Sequence, residues 1–476
     1  MVNKYKNTPL LNGVIFFVLT VGSPITIYFL MTKWSDSIAR QVVGLSLVVG
    51  GFIFASVKNK KNILTLLVLF FSQFSVSFMS FELTPPVTFP ILLFDLILIM
   101  LVFAFMELPE KISFDKLSTI LILLVVWQLI VLFYSVHFSK SIVFLMWTVK
   151  YLSLYIVLSN LKYNDKLFEQ VVIILATVLI IQSLIVCVQY ILKSDIGLVV
   201  LGERDSERSR QFFVNGNMRA SGTLGATNAL GGYIAMLMVF LVPYVLANRG
   251  WFYHLAFFMG AISLVIPLSR AAWLSFGVCS IILIINLIRS KSIKFGRVLF
   301  MGIFALVILL AVIYYNQTQI LSRFEDRAAM ASAQGRIDQI PSALKVVSKR
   351  PLFGIGPGVS SFFGAWNDHL KYVKNELPGI NLGNQVHNSI LQYLIESGYV
   401  GGGIFCLLII TVILSAFKRH AHSDPHIIFK YACSSAALTY LLDSQFGTEI
   451  NNYQMMVLFI SFLALSNNKY IKFNNK

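Results

Sequence analysis

The stretch that decides the fold class is NQVHNSILQYLIESGYVGGGIFCLLIITVILSA, residues 384–416. Its one charged residue is Glu396, and the remainder is mostly apolar or small. A bilayer core about 30 Å thick is crossed by about 20 helical residues, so the stretch is long enough to form a transmembrane helix. His387 and Asn388 stand where the apolar run begins. The stretch therefore predicts a membrane-spanning helix with polar groups at its N-terminal end, where lipid meets water.

The composition of the whole chain also points to lipid as its solvent. Of 476 residues, 57% are hydrophobic and only 12% are charged, whereas soluble domains carry about 25% charged residues. Only helices satisfy their own backbone in lipid without closing a barrel, so we predict an all-α polytopic membrane protein with 12–14 transmembrane helices. The apolar runs predict fourteen spans, near 11–31, 39–57, 62–81, 87–106, 117–136, 141–159, 168–192, 226–246, 252–268, 271–288, 298–315, 388–416, 427–442 and 452–467.

Lysine and arginine predict the orientation, because cytoplasmic loops of membrane proteins carry an excess of both. If the N-terminus is cytoplasmic, the cytoplasmic loops are the basic ones, as in segment 289–297. The short loops on the other side carry only Lys33, Arg40, Lys140 and Arg270. The bias and the even number of spans together predict that both termini lie in the cytoplasm.

Two segments on the predicted outer side are long, 193–225 and 316–387. The second exceeds what a helix–helix connection needs, which predicts a functional loop. Within it, 340–347 has apolar residues at helical spacing and predicts an amphipathic helix lying on the membrane. The predicted organisation is N-terminal spans (1–192), spans with arginine-bearing outer loops (193–315), the long extracytoplasmic loop (316–387) and C-terminal spans (388–476).

Composition and motifs argue against nucleic-acid binding, a cysteine metal site, metal-dependent sugar transfer and serine hydrolysis. The formal charge is +17, but basic blocks interleaved with aromatic residues, which would favour nucleic acid, are missing. The four cysteines lie in apolar stretches without a CxxC pair, so we expect neither disulfides nor a cysteine metal site. The sequence has no HExxH or GxSxG motif and no DxD cluster in its predicted outer loops. We therefore expect no metal and no cofactor.

Three arginines fall on the predicted outer side. Arg219, followed by Asn228, stands before the eighth span, Arg270 lies in the short turn before the tenth, and Arg336 lies in the long loop. Each alone could be a solvated charge, and Arg270 could equally snorkel to lipid phosphates. Together they favour a phosphate or pyrophosphate site, since the guanidinium fork matches those oxygens.

His387 is the candidate general base, because a helix N-terminus favours the neutral imidazole. An interfacial histidine without catalytic work is the alternative interpretation. Asn388 could simply cap the helix, and Glu396 is costly to bury in lipid and so predicts a functional or helix-pairing role. Gly356 and Gly358 in GIGPG predict a sharp turn whose amides could meet an anion.

These segments resemble a known family. RPLFGIGPG followed by VHNSILQYLIESGYVGGGIF resembles the shared region of the bacterial O-antigen ligase and polysaccharide polymerase family. Upstream, RASGTLGATNALGGYIA and PLSRAAW are similar to the family's arginine-bearing segments. The resemblance covers roughly residues 219–405.

The resemblance implies a glycosyltransferase of the GT-C class that works on the outer face without a metal or a nucleotide sugar. The implied donor is an undecaprenyl-pyrophosphate-linked oligosaccharide. His387 would be the base, and Arg219, Arg270 and Arg336 would hold the donor pyrophosphate. Membrane lipids and a chain-length regulator are the other implied partners.

Within that family we favour a polymerase of lipid-linked repeat units. A ligase that moves the glycan to lipid A core or another acceptor is the first alternative. A lipid-linked glycan transporter is the alternative from a different class. A transporter would usually show more charges lining a path through the bilayer. Here the intramembrane charges are few, namely Asp95, Lys150, Glu396 and, near the outer end, Asp443.

Overall fold

The computed structural model describes residues 60–84, 87–106, 112–204, 213–214, 217–291, 293, 296, 327–360, 386–417, 425–447 and 449–470. The predicted spans near 11–31, 39–57 and 298–315 lie outside the described residues. In chain order the helices are α1 (Lys60–Phe71), α2 (Leu93–Met106), α3 (Lys116–Leu132), α4 (Phe138–Asn160), α5 (Asp165–Leu192), α6 (Thr227–Leu246), α7 (Trp251–Val265), α8 (Arg270–Arg289), α9 (Arg327–Lys349), α10 (Ser389–Phe417), α11 (Pro425–Asp443) and α12 (Tyr453–Ser466).

The described residues are mostly helical, as the composition predicts, with two small exceptions. β1 (Ser77–Thr84) pairs antiparallel with β2 (Val87–Leu92), and β3 (Phe213–Val214) pairs with β4 (Asn217–Met218). Within this part of the chain, α4, α5, α6, α8 and α10 are long and apolar enough to cross a membrane, and α2, α3, α7 and α12 are shorter apolar helices. The chain is an integral membrane protein, and the number fourteen stays a prediction.

The predicted third span, 62–81, is wrong in its second half. The helix ends at Phe71, where the side chains of Ser72 and Gln73 donate to the carbonyls of Leu69 (2.7 Å) and Phe70 (3.0 Å). The chain then enters a hairpin in which Ser77 pairs with Leu92. Apolar content alone misses this end, because it does not register polar groups that take over the terminal carbonyls.

The centre of the bundle is α6, which is buried along its whole length and packs against α11, α8 and α7. A helix that is apolar all round is expected at such a position. Around it, the outer helices expose large apolar side chains such as Phe103, Ile281 and Leu414. This pattern is that of a protein whose outer surface meets lipid.

The predicted helix at 340–347 is present as part of α9, which packs on α10. Its inner face buries Ala343, Val346 and Val347. Ile337 and Leu344, on another face, are exposed. That α9 lies on the membrane stays a prediction.

One end of the bundle gathers the starts of α6, α8, α10 and α12, and we call it the site end. There the segment before α6 contacts the α7–α8 turn and the start of α12. The start of α10 lies beside the end of α11, and the α3–α4 loop contacts loop 351–360. The joining hydrogen bonds are Arg219 Nε to Pro267 O (2.8 Å), Asn452 Nδ2 to Leu224 O (3.1 Å), Ser389 N to Ser444 O (3.0 Å) and Val136 N to Ile355 O (2.9 Å).

Candidate functional site

Arg219 is held in place between two segments of the site end. Its side chain is buried, with the residue 8% exposed. Nε donates to the carbonyl of Pro267 in the α7–α8 turn (2.8 Å), and an Nη donates to Oδ1 of Asn228 on the first turn of α6 (2.9 Å). Asn228 therefore orients Arg219, and both lie next to the turn that carries Arg270.

Arg270 is the first residue of α8 and is exposed. Ser269 caps this helix by accepting from the backbone N–H of Ala272. A cation at a helix N-terminus faces the positive end of the helix dipole, so Arg270 does not serve helix stability. The free amides of a first turn and a guanidinium both attract anions, and this arrangement suits phosphate oxygens.

The segment 219–225 is anchored by amide side chains that sequence reasoning missed. Gln189 Oε1 accepts from Gly222 N (2.9 Å), and Gln454 Nε2 donates to Thr223 O (2.8 Å). Both glutamines lie inside apolar helices, α5 and α12. Polar residues within apolar spans are costly unless bonded, and that signal in the sequence could have found them.

His387 lies beside α9. Its backbone N–H donates to Oε1 of Gln339 (3.2 Å), and Arg336 lies one helical turn earlier on the same helix. Burial, reinforced by the nearby Arg336 charge, lowers the pKa of His387 to about 4. The imidazole is therefore neutral at physiological pH. Its Nδ1 is buried, without a hydrogen-bond partner among the described residues.

Asn388 caps α10, the structural role that the sequence left open. Its Oδ1 accepts from the backbone N–H of Leu391 (2.9 Å), and its Nδ2 donates to the carbonyl of Gln445 (3.1 Å). The cap fixes the first turn of α10 against the end of α11. Asn388 thus holds the backbone next to His387 in place.

Glu396 organises loop 351–360 from inside α10. The residue is 1% exposed, and its carboxylate accepts from Gly358 N (2.8 Å), Ser360 N (3.2 Å), Ser360 Oγ and Gln392 Nε2 (3.1 Å). The two glycines singled out in the sequence are therefore engaged: Gly356 N donates to Glu396 O (3.0 Å), and Gly358 N to the carboxylate. An anion at these two amides would have to displace Glu396.

Gly356 and Gly358 serve close packing. Both have positive φ, 114° and 73°. A Cβ on Gly356 would overlap Oγ of Ser135, and one on Gly358 would press into the ring of Phe144. These glycines therefore seat the loop against the start of α4.

The predicted site residues form two groups at the site end. Arg219, Asn228 and Arg270 surround the starts of α6 and α8, and Arg336 and His387 lie between α9 and α10. Helices α8 and α10 are in contact, so the two groups belong to neighbouring elements. Among the described residues, no group of three or more His, Cys, Asp or Glu could hold a metal ion.

Residues 255–406 match the family model described as O-antigen ligase. The match contains most of α7, all of α8 and α9 and the first part of α10, and with them Arg270, Arg336 and His387; Arg219 precedes it. No curated protein matches the chain. Over residues 255–406 the match supports the resemblance to the O-antigen ligase and polysaccharide polymerase family that the sequence motifs indicated.

Proposed function

We propose that the protein is a polysaccharide polymerase that joins undecaprenyl-pyrophosphate-linked repeat units on the outer face of the cytoplasmic membrane. The observation that carries the proposal is the pairing of a neutral, half-buried His387 with Arg336 at the end of the bundle that also holds Arg219 and Arg270. A neutral imidazole beside fixed cations suits attack by a hydroxyl on a sugar with a pyrophosphate leaving group.

In the proposed reaction, His387 accepts the proton of an acceptor sugar hydroxyl. The hydroxyl oxygen forms a bond to the anomeric carbon of the donor glycan from the face opposite the pyrophosphate. The bond between that carbon and the pyrophosphate oxygen breaks, and the electron pair leaves with undecaprenyl pyrophosphate. The anomeric configuration is inverted, as expected of a metal-independent GT-C-type transferase.

The arginines take the part that a metal ion takes in other transferases. Charge develops on the leaving pyrophosphate, and preorganised cations stabilise it most strongly where water is excluded. Arg219 is prealigned by Asn228 and Pro267, and Arg270 is exposed to incoming ligand. In the proposal, Arg336 binds the pyrophosphate beside the base.

Donor binding would also tune the base. The positive charge of Arg336 lowers the pKa of His387 in the ligand-free protein. A pyrophosphate held by Arg336 offsets that charge and raises the pKa of the imidazole towards its ordinary value. His387 would thus become a stronger base only when the donor is in place.

A ligase is the second candidate, and the matched family model carries that description. Both reactions use the same donor and base and differ in the acceptor, a growing glycan or a lipid A core. The long segment 316–387 and the predicted number of spans favour the polymerase. In either case we propose an outer-facing site, cytoplasmic termini and, for the polymerase, a chain-length regulator as partner.

The test compares His387→Ala and Arg270→Ala in a host that lacks the native gene. Removing the base in His387→Ala lowers turnover by roughly 10²–10⁴-fold, and Arg270→Ala removes a cation that is proposed to bind the pyrophosphate. Both variants should therefore accumulate unpolymerised lipid-linked repeat units on the outer face of the membrane. His254→Ala and Arg289→Ala are matched controls, since they lie near the opposite end of the bundle, and should form polymer normally.

The glycan that accumulates in the variants distinguishes a polymerase from a ligase and from a transporter. Full-length polymer that stays on its carrier indicates a ligase and contradicts the polymerase. Repeat units that remain on the cytoplasmic side indicate a transporter and contradict both enzymes.

A further inference from the structure

A cavity of about 280 Å³ opens at the site end among α2, α4, α12 and the β1–β2 hairpin, and its lining contains none of the proposed catalytic or pyrophosphate-binding residues. Its lining combines aromatic rings, carboxamides and one pair of opposite charges. The residues that the inference uses are Asp95, Trp147, Lys150, Asn451, Tyr453 and Gln454.

The charges form an ion pair at the cavity wall. Lys150 Nζ lies 2.9 Å from Oδ1 and 3.0 Å from Oδ2 of Asp95, with side chains 22% and 7% exposed. Asp95 Oδ2 also accepts from the backbone N–H of Leu92 (2.9 Å). A buried ion pair rarely adds stability over apolar residues of the same size. Ionisable groups in apolar helices instead mark sites where something polar binds.

The chemistry of the lining selects the ligand. The paired charges cancel, so a pyrophosphate would gain no excess positive charge here. Asn451 bonds to Gln392, and Gln454 bonds to Thr223. An acyl chain would remove water from the ion pair and from the remaining donor and acceptor positions of these two carboxamides without replacing those hydrogen bonds, which is costly. A sugar ring matches both halves of the lining. Its C–H face packs on aromatic rings such as Trp147 and Tyr453, and its hydroxyls bond to carboxylate and amide groups.

The cavity wall is tied to the scaffold of the proposed catalytic groups. Asn451 Oδ1 accepts from Gln392 Nε2 (3.0 Å), and Gln392 lies five residues after His387 on α10. The neighbouring Asn452 donates to Leu224 O, at the end of the segment that carries Arg219. His387 itself faces α9, on another side of α10. A ligand in the cavity is thus held at a fixed position relative to both groups, without being at the reacting bond.

We propose that this cavity is a saccharide subsite that binds a sugar ring of the glycan distant from the reacting bond. The inference rests on the proposed function for the identity of the glycan, and on the cavity alone for the class of ligand. It gives Asp95 and Lys150 a role that the pyrophosphate chemistry does not use.

The test is equilibrium binding to the full-length protein in lipid nanodiscs. The probe is a radiolabelled oligosaccharide fragment of the host's own surface polysaccharide, free of lipid and phosphate. Trp147→Ala should weaken its binding at least about tenfold, the scale of one lost buried aromatic contact. The charge-balanced double variant Asp95→Asn with Lys150→Gln should have a similar effect. Trp251→Ala, an exposed tryptophan at the opposite end, is the control and should bind normally.

A second probe, undecaprenyl pyrophosphate without sugar, separates the two proposals. Its binding should fall in Arg270→Ala and stay unchanged in Trp147→Ala. If the fragment binds and depends on Trp147 although the protein transfers no sugar, the subsite stands and the proposed function fails. If the fragment does not bind the unaltered protein, the subsite is wrong even where polymer forms. The subsite is also wrong if an alkyl chain displaces the fragment whereas the free sugar does not. Variants that do not elute as a single species are replaced by Tyr453→Leu, for which the same tenfold loss is expected.

Discussion

At the scale of single residues, the environment of His387 decides what pH can do to the site. Burial and the Arg336 charge both disfavour the imidazolium and lower the pKa to about 4 from an ordinary value of 6.5. The neutral base therefore persists well below neutral pH in the ligand-free protein. Arg336 reaches this position only because α9 packs against α10.

The pH profile of the ligand-free protein follows from this shift. Protonation removes the base, so kcat/KM should stay level as pH falls through 6.5 and drop only near pH 4. Arg336→Gln removes a lowering charge, and the acid limb should then move to higher pH, beneath a reduced maximum. Lys345→Gln, an exposed cation on the same helix, should leave the limb in place. An acid limb at 6.5 in the unaltered protein would contradict the assignment of His387.

Glu396 is the second residue whose effect is sharply defined. Its carboxylate receives the N–H groups of Gly358 and Ser360, and Glu396→Ala would leave these buried donors unbonded. Each buried donor without a partner costs about 1–3 kcal/mol, so we expect a loss of roughly 2–5 kcal/mol in unfolding free energy. Glu396→Gln keeps one acceptor oxygen and should lose less. Thermal unfolding followed by size-exclusion chromatography measures both.

Asp165→Asn is the control for Glu396, since that side chain is 91% exposed at the start of α5 and its ion pair with His426 Nε2 (3.5 Å) is of the exposed kind that adds at most about 1 kcal/mol. It should unfold close to the temperature of the unaltered protein. Equal stability of Glu396→Ala and Asp165→Asn would show that the carboxylate does not hold loop 351–360.

At the scale of elements, α10 is two helices joined at Gly398. Its φ of 66° and ψ of −170° are far from helical values, and a Cβ there would overlap the carbonyl oxygen of Leu352. The glycine pair Gly398 and Gly402 has the spacing of a helix–helix contact, yet Gly398 meets the backbone of a loop. The break lets Pro351 O accept from Tyr399 N (2.8 Å) and seats the loop that Glu396 holds.

Alanine at Gly398 should therefore destabilise the protein by at least about 2 kcal/mol, from an unfavourable backbone region and a clash with backbone. Gly403 lies in the same helix, and a Cβ added there would meet no atom within 4 Å. Gly403→Ala should be neutral or stabilise by about 0.5–1 kcal/mol. Thermal unfolding of the pair in the same nanodiscs tests this, and equal effects would refute the break as a packing requirement.

At the scale of the whole molecule, one end of the bundle carries the proposed chemistry. Arg219, Arg270 and His387 lie at or just before the starts of α6, α8 and α10, at the site end. The other end carries basic residues such as Arg249 and Arg289. Because cytoplasmic loops carry an excess of cations, we predict that the site end faces the outside. An outer site would suit the proposed substrates, which are linked to a carrier and flipped across the membrane.

Labelling of single cysteines tests this orientation in a background with the four native cysteines replaced by serine. Lys193→Cys follows the end of α5 at the site end, and Arg249→Cys follows the end of α6 at the other. Both positions are exposed. In right-side-out membrane vesicles, an impermeant maleimide should label position 193 directly and position 249 only after detergent is added. The reverse order would place the site end in the cytoplasm.

The amino-acid sequence by itself determined the class of protein and most of its helices. In lipid a backbone must bond to itself, so each long apolar run can only be a helix, and α3 to α8 and α10 to α12 start and end close to the predicted limits. Short-range motifs also indicated the family and the residues that carry it. The apolar pattern did not predict the end of α1 or the β1–β2 hairpin, because local polar groups there outweigh that pattern.

Only the tertiary structure decided which of these residues meet. Arg336 and His387 are far apart in the chain, as are Glu396 and Gly358 or Asp95 and Lys150, and each pair forms because two elements pack side by side. Helix neighbours depend on the shapes and volumes of side chains along whole faces, which no local pattern encodes. For the same reason, only the tertiary structure shows that Gln189 and Gln454 both bond to segment 219–225 and hold it in place.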